Sequence, residues 1–311
     1  MPSRRLFLLT ILIYLATSTT ALAWNKPGHM LTGAIAYYEL KAKDPAALAK
    51  VINFLKQNPY YQHEWLPRIE NLAESDADRH DLYLFMYAAR WPDDIRGIPS
   101  LHCDQCHYIN YPFKPDNQPA GLVVKPPADE NILTKYSEAN STLQSSTASA
   151  VAKSRALCWV FHLIGDVHQP LHTSTLFTVV FPEGDRGGTR FYIAEAENER
   201  TKHLHSFWDG LVMSSQKFSS VRNRARGLLN RNDLQRQDFS ELTETTFEGW
   251  AKESLALAKK DGYLMGQLEG SPDELDGAVL PDDYKSRSEP IAIKRAMLAG
   301  YRLADLLSRK F

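Results

Sequence analysis

The chain has 311 residues, 43% hydrophobic and 23% charged, with 36 basic against 37 acidic side chains and a formal charge of −1. That is the composition of an ordinary globular protein with mass enough for one large core, and one domain is the default expectation. It excludes a chain-wide basic surface of the kind that grips nucleic acid by counterion release. A polyanionic substrate then has to be attracted locally, and bound divalent cations are one means of doing so.

In chain order, residues 1–23 read as a targeting segment. Arg4 and Arg5 precede an apolar run from Leu6 to Ala16, and Ala21-Leu22-Ala23 gives the small-x-small pattern of a signal-peptidase site. The run is shorter than the roughly 20 residues a membrane span needs, so the expectation is export, to the periplasm or outside the cell, with Trp24 as the new N-terminus. Ser3-Arg4-Arg5-Leu6-Phe7-Leu8 also resembles a twin-arginine signal. No later stretch is long and apolar enough to cross a membrane, and residues 24–311 form the expected working domain.

Past Trp24 the chain is predicted to be mostly α. Apolar residues recur at helical spacing, without internal proline, over Met30 to Leu40, Ala46 to Leu55, Asp78 to Arg90, Ala148 to Val167, Ser240 to Ala258 and Ile291 to Leu307. Pro92 to Pro127 reads as a long irregular segment with seven prolines, and a loop of that length carrying His102, His107 and several aromatics points to function. Strand signal is confined to Leu176 to Phe181 and Thr189 to Ala194, which flank Gly184-Asp185-Arg186-Gly187-Gly188 and are predicted to form a small β-hairpin.

Of the ten histidines, most are ordinary surface or core residues taken singly, so spacing has to decide. His162 and Asp166 are four apart, as are His205 and Asp209, and residues four apart share a helix face. A His/Asp pair at that spacing is commonly a surface ion pair. Here it sits among Leu157, Trp159, Val160, Phe161, Leu163 and Ile164, so the polar groups are expected to be buried and to need partners. His172 follows just past Pro170, where the helix should end or kink. Metal ligation is the reading that satisfies all five.

Trp24-Asn25-Lys26-Pro27-Gly28-His29, Trp91-Pro92-Asp93-Asp94-Ile95-Arg96, His107-Tyr108-Ile109-Asn110, the run from His162 to His172, and Leu204-His205-Ser206-Phe207-Trp208-Asp209 stand in one order along the chain. As an ordered set they resemble the zinc-dependent single-strand nuclease and 3′-nucleotidase family, which includes fungal single-strand nucleases and plant bifunctional nucleases. The resemblance covers nearly all of residues 24–311. It implies a single helical domain of the type shared with zinc phospholipase C, holding three zinc ions. Asp93, His107, His162 and Asp166 correspond to the ligands of one; Trp24, through its free amine and carbonyl, with His29 and Asp166 to those of a second; His172, His205 and Asp209 to those of the third.

The resemblance further implies hydrolysis of single-stranded DNA or RNA and of 3′-nucleotides to products carrying 5′-phosphates, with no obligate protein partner. Water acidified between two zincs attacks phosphorus in line. Asp93, Arg96 and Asp166 are the candidate catalytic residues, Arg96 neutralising charge on phosphorus. Tyr108 falls where the family places an aromatic against a base, and Tyr111 or Phe113 could extend that platform for unpaired bases. Asn110 stands where relatives often have an aspartate, which trades a carboxylate acceptor for an amide at a base edge. Thr189 is a second departure, standing where relatives often have asparagine.

Two alternatives use the same residues. One is a zinc phospholipase C. The other is an exported haem protein, because Cys103-Asp104-Gln105-Cys106-His107 is the C-x-x-C-H attachment pattern. Against haem, His107 is already a zinc ligand in the resemblance, and a Cys103–Cys106 disulfide or reduced pair stiffening its loop is expected, with Cys158 a buried free thiol. Asp76, Asp78, His80 and Asp81 are set aside as the polar opening of a helix. His168 is set aside as a helix-end neighbour of the ligands, and Asn140-Ser141-Thr142 as a glycosylation sequon that matters only in a eukaryote.

Overall fold

Asn25 sets where the helical body begins. Its side-chain oxygen accepts the Gly28 amide at 2.9 Å, and Pro27 sits in the first turn, where a missing N–H breaks no bond. Helix α1 runs Lys26–Lys43 and is buried without interruption from Pro27 to Tyr37, as befits a helix inside a core. The computed structural model describes residues 24–72 and 78–311, so the expected targeting segment 1–23 and Asp76 lie outside the described residues.

The remaining helices are α2 (Pro45–Leu55), α3 (Leu66–Glu70), α4 (Arg79–Asp94), α5 (Ile132–Gln144), α6 (Ala150–Val167), α7 (Leu204–Gly210), α8 (Phe218–Leu229), α9 (Phe247–Leu257) and α10 (Tyr284–Lys310). Helix α1 packs against α4, α6, α8 and α10, and α6 packs in turn against α4, α5 and α10, so these two helices form the centre of one continuous apolar core. The chain is mostly α, as its periodicity predicts. No described helix is long and apolar enough to cross a membrane.

Three expectations need correction. Helix α4 does not stop at Arg90 but runs through Pro92 to Asp94, closed by the Ile95 amide on the Trp91 carbonyl at 3.2 Å. Proline this close to the end removes one bond of the last turn, and the continuation puts Asp93 on a rigid element. The helix expected from Ser240 starts only at Phe247: Ser240–Thr243 is a 3₁₀ turn, and Thr246 caps α9 by accepting the Gly249 amide at 3.1 Å.

The third concerns the hairpin. Leu176 to Phe181 and Thr189 to Ala194 do not pair with each other. Strand β1 (Tyr111–Phe113) pairs in parallel with β2 (Ser174–Leu176), while β3 (Tyr192–Ala194) lies between an antiparallel β4 (Lys202–His203) and a parallel β5 (Ala278–Val279). The small hairpin is therefore β3–β4. The cause is the turn between the two runs: Gly184, Arg186, Gly187 and Gly188 have φ of 81°, 55°, 64° and 83°. Asp185 is pulled inward to accept the Leu176 amide at 2.8 Å and the Tyr263 hydroxyl at 2.7 Å. That curl sends the two runs to different sheets.

Candidate metal centre

The packing of α1 and α6 brings polar side chains from six segments to one buried place. His29 comes from the first turns of α1, Asp93 from the last turn of α4, and His107 from a 3₁₀ turn at Gln105–His107. His162 and Asp166 share a face of α6, His172 lies in the Pro170–Thr173 turn, and His205 and Asp209 are on α7. All eight are 4% exposed or less.

Asp166 is the hub. Its Oδ1 lies 3.2 Å from His29 Nε2 and its Oδ2 lies 3.0 Å from His162 Nε2 and 3.1 Å from His107 Nδ1. Asp93 Oδ1 is 3.8 Å from His162 Nε2, and Asp209 is 3.6 Å from His205 Nε2 and 3.9 Å from His172 Nε2. Three groups, His29/His162/Asp166, Asp93/His107/His162 and His172/His205/Asp209, each present three ligand-capable atoms within 4.8 Å of one another.

Local structure explains the approach. Gly165 precedes Asp166 inside α6, where glycine costs about 1 kcal/mol against alanine. A Cβ there would lie 2.8 Å from His29 Nδ1, so the glycine is what admits the imidazole. Backbone carbonyls aim the other rings: Nδ1 of His162 donates to Ala89 O at 2.8 Å, that of His172 to His107 O at 3.0 Å, and that of His205 to Gly187 O at 2.6 Å. Each bond leaves the Nε2 lone pair facing inward. Gly187 can present its carbonyl only as glycine, since a Cβ there would come within 2.5 Å of Leu171 O.

Electrostatics favours a cation. Burial, followed by neighbouring imidazoles, holds His29, His107 and His172 well below the usual histidine range, so they are neutral donors. Burial pushes Asp166 up to about 6 and Asp209 well above the usual carboxylate range. Burial opposes charge on His162 as well, but Asp166 and Asp93 raise it. Both His29 nitrogens, Asp93 Oδ2, His107 Nε2, Asp166 Oδ1 and His172 Nε2 are buried with no hydrogen-bond partner.

Arg96 lies against this cluster, its Nε 3.0 Å and its Nη2 2.9 Å from Asp93 Oδ1. Tyr108 and Asn110 follow His107 and are half-buried beside it, as is Tyr111 on β1. Phe113 is buried, against Tyr263 and under Lys259, so it cannot extend a base platform; the β1–β2 pairing turns it into the core. Trp24 is fully buried at the head of α1.

Cys103 and Cys106 are joined in a disulfide and Cys158 is buried, so neither thiol of the C-x-x-C-H pattern is free for haem. His168 ends α6, its Nδ1 on Ile164 O at 2.7 Å and its Nε2 2.9 Å from Arg302, away from the cluster. Asp78 pairs with Lys41 at 2.5 Å and His80 with Asp81 at 2.8 Å at the start of α4, also apart from it.

Over residues 24–311 the chain matches the S1/P1 nuclease family. It belongs to that family. Endonuclease 4 of Arabidopsis thaliana is 25% identical over 330 aligned residues, which cover 99% of this chain and 96% of the plant protein. Endonuclease 1 of the same plant is 25% identical over 331, covering 99% and 94%. At such identity the S1/P1 site is best read from its own geometry, which adds residues that spacing did not single out. Gln169 donates to Asp209 Oδ1 at 2.8 Å while accepting the Leu171 amide at 2.5 Å, both in the interior. A glutamine wedged between His168 and Pro170 in a buried turn is the signal for that role. Asp185 had no such signal, because its partner Tyr263 is 78 residues away.

Proposed function

We propose that this S1/P1 family member is an exported, zinc-dependent endonuclease and 3′-nucleotidase that cleaves single-stranded DNA and RNA and leaves 5′-phosphates. The observation that carries the reading is three groups of buried imidazole and carboxylate atoms, each group within 4.8 Å, in which Asp93 Oδ2, Asp166 Oδ1 and His172 Nε2 have no hydrogen-bond partner. Buried acceptors without donors are costly, and cations satisfy them together. Neutral imidazoles and carboxylates, with no thiolate among them, suit zinc.

We assign Asp93, His107, His162 and Asp166 to one zinc, the Trp24 amine and carbonyl with His29 and Asp166 to a second, and His172, His205 and Asp209 to a third. Bound zinc supplies Lewis acidity toward a phosphate oxygen and water acidified to near neutrality. The protein's own groups do the rest. Asp166 uses its two oxygens on two sides of the site, and carbonyls of Ala89, His107 and Gly187 keep three imidazoles aimed. Arg96, anchored on Asp93, offsets charge building on the phosphoryl oxygens. The Tyr108 ring offers a face to an unpaired base, which a duplex would hide, and Asn110 meets its edge.

Export is supported by the position of Trp24, buried at the head of α1 and the first residue matched to the family. An amine ligand there requires cleavage before Trp24. The test is a substrate panel with the purified mature chain: single- and double-stranded DNA, RNA, 3′-AMP and phosphatidylcholine, each before chelation, after it, and after zinc is restored. Hydrolysis of the single strands and 3′-AMP, lost and regained with zinc, is expected. Turnover of phosphatidylcholine alone, or chelator-resistant cleavage, overturns the reading.

A further inference from the structure

One group of donors lies outside the centre and has a different chemistry. The Cys103–Cys106 disulfide closes a turn of sequence separation 3 immediately before His107. Glu130 is exposed and stands just ahead of Asn131, the cap of α5. The two sulfurs and a Glu130 carboxylate oxygen lie within 4.8 Å of one another. The two segments are also joined without the disulfide, by the Ile132 amide on the Tyr108 carbonyl at 3.0 Å. Opening the disulfide therefore leaves Glu130 opposite both cysteines.

We propose that reduction of this disulfide by a dithiol creates a separate metal site, in which the Cys103 and Cys106 thiolates and the Glu130 carboxylate bind a borderline-soft divalent cation, zinc first. The dithiol gives two electrons and two protons: the Cys103–Cys106 S–S bond breaks, two thiols form, and the reductant becomes a disulfide. Cation binding then expels the two thiol protons to solvent. Three protein ligands with water in the fourth position make a tetrahedral site, and paired cysteines with two residues between them are a common half of one.

The two states hold the His107 turn differently. The disulfide ties residues 103–106 only to themselves, whereas the cation ties them to the head of α5. The site does not depend on the nuclease reading, because the groups proposed for the main centre contain no sulfur. Cobalt distinguishes them, since only a thiolate site gives a sulfur-to-cobalt charge-transfer band.

The test uses the full mature chain, first saturated with zinc and freed of excess, then opened with a phosphine that does not chelate and checked by thiol titration before cobalt is added. The expected result is a charge-transfer band saturating at one equivalent of cobalt, absent from the oxidised chain and from the Cys103→Ser/Cys106→Ser double variant. Glu130→Gln, at an exposed position that the fold does not use, should weaken cobalt binding roughly tenfold or more, since loss of an outer-shell partner alone costs 10–100-fold. No band in the fully reduced chain, or unchanged affinity in Glu130→Gln, overturns the proposal.

Discussion

Arg96 grips one oxygen of Asp93 and leaves the other alone: Nε at 3.0 Å and Nη2 at 2.9 Å both reach Oδ1, while Oδ2 is buried without a hydrogen-bond partner. Both nitrogens of the guanidinium fork hold the oxygen that also lies 3.8 Å from His162 Nε2, so the fork fixes the carboxylate against the cluster, and lysine has no such fork. Arg96→Ala is expected to lower kcat on single-stranded DNA by about 10²–10³ with zinc content retained, and Arg96→Lys to recover only part of it. Zinc analysis on the same preparation decides. Metal lost in step with activity would mean that Arg96 serves Asp93 and not the phosphate.

Asp166→Asn replaces one oxygen with an amide that donates toward an imidazole lone pair. Zinc content should fall and turnover with it, because both oxygens of Asp166 face imidazoles. Full turnover with undiminished zinc would remove Asp166 from the ligand set.

For Tyr108→Ala, loss of one stacked base is worth about 1–3 kcal/mol, so KM for single-stranded oligonucleotides should rise about 5- to 150-fold with kcat and zinc nearly unchanged. If Tyr108 instead braces the His107 turn, zinc and melting temperature fall while KM holds.

Gly165→Ala sets two effects of opposite sign against each other. Alanine gains about 1 kcal/mol in helix propensity, but its Cβ would stand 2.8 Å from His29 Nδ1. The contact is too short to absorb, so the imidazole must move. Zinc affinity is expected to drop in a chain that is still fully helical by circular dichroism; unchanged zinc binding would show that His29 has room to spare.

Asp185 predicts a pH dependence away from the cluster. Burial pushes its carboxyl up to about 6 despite bonds from Tyr263, Leu176 and Thr175. Its folded value lies above the ordinary 3.8, so the folded chain binds the proton more tightly than the unfolded one. The stabilisation is complete below about pH 4 and is lost as pH rises through about 6, a contribution of about 3 kcal/mol. Asp185→Asn should flatten that part of the stability profile between pH 4 and 7. A wild-type profile for the chelated protein with the same slope as the variant's would contradict it.

The sequence made the central helices legible because their apolar spacing is dense and their polar residues fall where a core has no water. His162 and Asp166 could be read from α6 alone. Helix α5 is fainter, since only Ile132 and Ala139 of its residues are buried, and the period of Ile132, Tyr136, Ala139 and Leu143 is diluted by Thr, Lys, Ser, Glu, Asn and Gln. The hairpin is not legible in the sequence because β-rich composition says that a run is extended and not what it pairs with; Asp185 and four positive φ angles decide that. The direction of Phe113 is hidden for the same reason, since it depends on the register of β1 with β2. The extension of α4 over Pro92 rests on the final turn tolerating one missing bond, which no local rule required.

The eight buried side chains are drawn from positions between His29 and Asp209, from both sides of the long segment after α4. They meet only after long loops have closed, which is the slow part of folding. Cations bound there would act on a nearly finished molecule. They would clasp segments that have already met, so their removal should show chiefly as faster unfolding, with the folding rate little changed.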